Sequence, residues 1–135
     1  MTDSHLEEAL AAERDLDLTA ATQDGWCLGD GSAPTKVAVN TGRSILAAML
    51  EAGLAPPTFM PAISGGIDIE WENPVRVIDI SIDVNGSMSG GVIHFDEEDA
   101  NGDVVLEELT SVSIADLVTA VAEADRVNRE WHRRG

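Results

Sequence analysis

The rhythm of apolar and polar positions changes twice along the chain. Within residues 3–21, Leu6, Ala9, Leu10, Glu13, Leu16 and Ala20 fall near a helical period with acids on the other face. Asp3, Glu7 and Glu8 in the first turn suit the positive end of a helix dipole, so residues 1–22 are expected to hold one acidic helix. A second helix is expected over residues 35–53, where Val37, Ala38, Thr41, Ile45, Ala48, Met49 and Ala52 form a stripe. Gly53 follows where a left-handed cap is wanted. Gly42 interrupts this helix at a cost of about 1 kcal/mol relative to alanine, which points to close packing against another element.

Between residues 65 and 109 the period falls to two. Ile67-Asp68-Ile69-Glu70-Trp71-Glu72 alternates strictly and predicts a half-buried strand with Ile67, Ile69 and Trp71 inward. Asn73-Pro74 breaks it. Residues 75–84 predict a second strand with Ile78, Ile80, Ile82 and Val84 on one face, closed by the hairpin signal Asn85-Gly86. A third strand over 87–95 is expected to bend at Gly90-Gly91. Asn101-Gly102 is a further hairpin signal, leading into a fourth strand over 103–109.

The helical period returns in residues 113–132 with Ile114, Leu117, Val118, Val121, Ala124, Val127 and Trp131. Ser113 and Asp116 form a capping box, and Arg126, Arg129, Arg133 and Arg134 gather at the other end, where they complement the dipole. Three glycines and a proline make residues 23–34 a loop, in which Trp26 is expected to plug the edge of the core. Pro56, Pro57 and Pro61 are expected to keep residues 55–63 extended and irregular. The fold class that follows is α+β, a single domain over residues 1–135. It is an antiparallel four-stranded meander with about three helices packed on one face.

Gly25-Trp26, Gly29-Asp30-Gly31-Ser32 with Pro34, the helix after them, the proline-rich link and Gly65-Gly66-Ile67 leading to Glu70-Trp71 occur in that order. Together they resemble a broad group of small uncharacterised bacterial proteins, over about residues 24–86. The resemblance implies an architecture and carries no catalytic residues with it.

Charge changes the picture more than any motif. The chain has 25 Asp+Glu against 8 Lys+Arg, a net charge of −17, and Lys36 is its only lysine. Such a surface repels nucleic acid and anionic membranes, so direct binding to either is not expected. One cysteine, Cys27, allows no intrachain disulfide and suits a reducing cytoplasm. The first residues lack the basic and apolar regions of a signal peptide, which also points to a cytoplasmic protein.

Four places in the chain carry residue types suited to chemistry. Glu97, Asp99, Asn101 and Glu108 match positions of a twelve-residue calcium loop, with Gly102 at the turning position. Against this, Glu97 is long for the first position, Val105 offers no ligand at the ninth, and the flanks read as strands; the simpler reading is an acidic hairpin turn. Cys27 and His94 are the residue types of a nucleophile and base, but no third residue orients them, and Cys27 reads better as a small buried apolar group. The Gly29-Asp30-Gly31-Ser32 loop precedes a helix, as anion-binding loops do, yet it lacks a lysine and follows no strand, so it reads as a turn. Asp68, Glu70 and Glu72 share the outer face of one strand. If Asp79 and Asp83 lie on the same side, the carboxylates form a regular array suited to a basic partner.

With no catalytic set and no cofactor expected, the leading reading is a non-enzymatic interaction protein. It is of the inhibitor, antitoxin or immunity type, and it binds a basic, nucleic-acid-handling protein by imitating a phosphate backbone. The expected contact residues are Glu7, Glu8, Asp68, Glu70, Glu72, Glu97, Glu98 and Asp99. The alternatives are a structural subunit or homodimer whose acidity reflects its host, and a calcium-binding module.

Overall fold

The computed structural model describes residues 3–134. Its elements run α1 (Asp3–Ala20), α2 (Lys36–Glu51), β1 (Thr58–Pro61), β2 (Ile67–Glu72), β3 (Arg76–Ile82), β4 (Met88–Glu98), β5 (Val104–Leu109) and α3 (Ile114–Arg134). The class is α+β. The strands form one antiparallel sheet in sequence order, β1-β2-β3-β4-β5. The sheet has five strands where four were expected. Residues 58–61, expected to be irregular, pair with β2 from Thr58↔Glu70 to Pro61↔Ile67. A proline is tolerated there because the strand lies at the sheet's edge.

Alternation sorts the sheet into two faces. Ile67, Ile69 and Trp71 stand opposite Ile82, Ile80 and Ile78, and Met88 and Val92 continue the rows on β4. These side chains join Leu16, Ala38, Ile45, Met49, Leu117 and Val121 in one buried cluster, so all three helices cover the same face. Each Ile, Leu, Val or Met among them contributes about 1.5–3 kcal/mol when fully buried. Gly42 is buried in α2, where an added Cβ would lie 3.3 Å from Leu16 and 3.6 Å from Phe59, the close packing its position implied.

The hairpins lie where Asn85-Gly86 and Asn101-Gly102 put them, closed by Gly86 N–H to the Asp83 carbonyl and Gly102 N–H to the Asp99 carbonyl. The ladder is not interrupted at Gly90-Gly91, where a bend was expected. Pairing with β3 runs unbroken from Met88 to His94, and the irregularity comes later, between His94 and Glu98. Glycine is needed at 90 for another reason: a Cβ there would sit 1.9 Å from the Asp79 carbonyl oxygen.

Some residues expected inside are exposed. The buried face of α1 is Ala12, Leu16 and Thr19, while Leu6 and Leu10 lie in its uncovered first half. Val37, Val84 and Trp131 are exposed too, Trp131 because it lies about two turns past the last buried residue of α3, Ala124. Trp26 does not plug the core. Its indole N–H donates to the Ser32 carbonyl, and the ring packs on Gly31 within its own loop. No helix among the described residues is long and apolar enough to cross a membrane.

Candidate interaction surface

Among the described residues nothing covers the face of the sheet opposite the helices, and strand parity loads it with acids. Asp68, Glu70 and Glu72 point outward from β2 because Ile67, Ile69 and Trp71 point inward. Register then places Asp79 directly opposite Glu70, and Ser81 opposite Asp68. The Ser81 hydroxyl donates to Asp68 Oδ1 at 2.9 Å. The Glu70–Asp79 row continues through Gly91 to Glu108 on β5. A shallow depression of about 280 Å³ lies over this region, floored by Thr58, Met60, Asp68, Glu70, Asp79 and Ser81. The neighbouring row is apolar, with Val77, Ile93 and Leu106 following Glu72 across β3, β4 and β5.

A hydrogen bond with Asp79 pushes the Glu70 carboxyl above its ordinary value. Partial burial and the negative charges of Asp79 and Glu72 act in the same direction. Of the two further acids considered for the array, Asp79 belongs to it. Asp83 does not: it lies in the β3–β4 turn, where its carboxylate accepts the Val84 N–H.

The eight expected contact residues fall in three places. Asp68, Glu70 and Glu72 are on the open face. Glu7 and Glu8 are exposed on α1 in the helical layer, with Glu8 near Leu54 and Pro56. Glu97, Glu98 and Asp99 sit at the end of β4 and in the following hairpin turn.

The calcium-loop spacing is not realised. Asp99 Oδ1 accepts the N–H groups of Asn101 and Asp103 and so closes the turn. Glu108 lies four residues along β5 from Val104, about 13 Å away at roughly 3.3 Å per residue. Among the described residues no group of three or more His, Cys, Asp or Glu is placed to hold a metal ion. Cys27 is half-exposed rather than buried, bridged to Asp30 in its loop, while both ring nitrogens of His94 face glutamates. The Gly29-Asp30-Gly31-Ser32 segment is a turn leading to Thr35, whose hydroxyl caps α2 by accepting the Ala38 N–H.

Sequence reasoning missed a buried polar cluster between the sheet and α3. Arg76 occupies an inward position of β3, two residues before Ile78, and binds Asp96 through Nε–Oδ1 and Nη2–Oδ2 contacts of 3.2 Å each. Both side chains are about nine-tenths buried. Burial pushes the Asp96 carboxyl up, but the hydrogen bonds and charge of Arg76 outweigh it and hold Asp96 below its ordinary value. His94, paired with Arg76 across the strands, donates Nε2–H to Glu107 at 2.9 Å and turns Nδ1 toward Glu97 at 3.5 Å. The Nε2 contact ties β4 to β5, while Nδ1 is buried and makes no hydrogen bond among the described residues. The available signal was parity: an arginine and a histidine at inward strand positions require partners.

No family model, curated protein or solved structure matches this chain.

The sheet's two edges differ. On β1, the Phe59 N–H donates to Asp15 Oδ2 at 2.7 Å, and the Phe59 carbonyl accepts the Thr19 hydroxyl at 3.3 Å, both from α1. Two residues on, Pro61 has no N–H to offer. That edge is closed. On β5, β4 is the only substantial neighbour among the described residues, and Val104 and Leu106 are exposed, Leu106 by 71%.

Proposed function

We propose that the protein is a non-enzymatic interaction protein that binds a basic protein partner through the uncovered acidic face of its sheet. In this reading it is an inhibitor or an antitoxin- or immunity-type protein of the cytoplasm, and its target is a nucleic-acid-handling protein. The observation that carries the proposal is the Glu70–Asp79 pair, two carboxyls set opposite each other on a face with no covering layer.

A protein gains nothing in stability from such a pair, because like charges directly opposite on a sheet repel. An incoming arginine or lysine removes that cost. A guanidinium is the better match, since its planar fork can reach two carboxylates at once. Asp68, Glu72 and Glu108 surround the pair with further negative charge, and the net charge of −17 steers basic surfaces toward the molecule. The apolar row Val77, Ile93 and Leu106 beside it supplies the dehydrated contact that a purely electrostatic encounter lacks.

The test is affinity capture from host lysate with the wild-type chain and with an Asp68→Asn, Glu70→Gln, Asp79→Asn variant. Each is run at about 0.05 M and about 0.5 M salt, which span weak and strong screening. The expected result is one stoichiometric basic protein held by the wild type at low salt, weakened by salt and lost with the variant. Equal capture by the variant would sink the proposal.

A further inference from the structure

We infer that the β5 edge accepts a sixth strand, and that its occupant is a basic extended segment of a partner protein. The inference rests on the basic-partner reading and adds where and how the partner is held.

The two edges of the sheet are treated differently by the same chain. On β1 the outward backbone groups are consumed by Asp15 and Thr19 of α1, and proline removes the next donor. These are devices that stop strand addition. Nothing comparable protects β5. Among the described residues, no side chain or loop outside the sheet hydrogen-bonds to the backbone of Val104–Leu109. An unprotected edge displays a row of N–H and C=O groups that another extended chain can pair with, gaining a backbone ladder and contacts for alternate side chains.

The side chains of β5 say what kind of strand fits. Val104 and Leu106 are exposed on the uncovered face and give an apolar contact. Glu107 and Glu108 are adjacent, so they point to opposite faces, and Glu107 keeps one oxygen on His94 while remaining half-exposed. A strand laid beside β5 therefore meets a carboxylate on each of its faces. The preceding hairpin adds Glu97, Glu98, Asp99 and Asp103. Lysines or arginines on either face of the added strand find opposite charges, and neutral or acidic strands do not.

A second copy of this chain is a poorer occupant. Pairing two β5 strands crowds Glu107 and Glu108 of both copies into one short ladder, and each copy brings a net charge of −17.

The experiment uses the full chain at low salt and a short synthetic peptide of alternating lysine and valine. The comparator is the same peptide N-methylated at every residue, which keeps side chains and charge but removes the N–H donors of both its edges. Amide hydrogen exchange is followed residue by residue, with chemical-shift changes recorded alongside. With the plain peptide at about ten times its Kd, exchange at alternate amides of residues 104–109 should slow about ten-fold, and the N-methylated peptide should not produce this. Shift changes confined to Asp68, Glu70 and Asp79, with β5 exchange unaltered, would overturn the strand-addition inference and leave the basic-partner reading intact. Binding of neither peptide would overturn both. Protection of β5 that grows with protein concentration and needs no peptide would make the occupant a second copy, and the inference would fall.

Discussion

Glu70 and Asp79 stand directly opposite each other on β2 and β3, and their hydrogen bond holds the Glu70 carboxyl above its ordinary value of 4.5. A raised acid keeps its proton longer in the folded chain than in the unfolded one. Its effect on stability is nil well below pH 4.5 and becomes unfavourable as pH rises from 4.5 through the raised value. Glu70→Gln is therefore expected to stabilise the chain by about 0.2–1 kcal/mol at pH 7, with the gain disappearing in acid. Urea unfolding of both proteins across this pH range measures it. A variant no more stable at pH 7 than the wild type would show that the pair is not strained.

The Arg76–Asp96 pair has the opposite sign. Its folded carboxyl lies below the ordinary 3.8, so its contribution is fully present above 3.8 and is lost as pH falls through the depressed value. Asp96→Ala strands a buried guanidinium and is expected to cost about 3–5 kcal/mol at neutral pH. Replacing both partners, Arg76→Met with Asp96→Leu, is expected to recover most of that loss. Thermal unfolding of the three proteins decides the matter, and a double variant as unstable as Asp96→Ala would refute it.

Asp15→Ala removes the acceptor of the Phe59 N–H. Leaving that donor unpaired is expected to cost about 1–3 kcal/mol. It also reopens the β1 edge, so light scattering at high concentration should rise above that of the wild type. A stability change without any new association would mean that Thr19 and Pro61 suffice to keep the edge closed.

Gly90 and Gly102 separate two uses of glycine. Alanine at 90 drives a Cβ into the Asp79 carbonyl, and Gly90→Ala is expected to prevent normal pairing of β3 and β4, giving little folded protein. Alanine at 102 meets no atom within 4 Å and pays only for a φ of +81°. Gly102→Ala should fold and lose about 1–2 kcal/mol. Expression yield and circular dichroism of the pair distinguish them.

The alternation of residues 67–72 and 78–82 told correctly which side chains are buried, because a strand's two faces follow from its own period. The Ser113–Asp116 box was equally legible, and both of its reciprocal bonds form. Strand β1 was not. Four residues ending in proline carry no period of their own, and Thr58–Pro61 is extended in a sheet only because β2 offers it a partner. The outward position of Asp68, Glu70 and Glu72 was readable from parity. The identity of the residue facing Glu70 required the register of β3.

The sequence by itself determined the kinds of element, the places where the chain turns and the charge of its surface. Each depends on residues within a few positions of one another or on composition alone. Only the tertiary structure decided that all three helices cover one face, that Arg76 meets Asp96, and that one sheet edge is closed while the other is open. The closing contact joins Asp15 to Phe59 across 44 residues. Such pairings have no local signature, because they arise when elements formed separately are packed against a shared core.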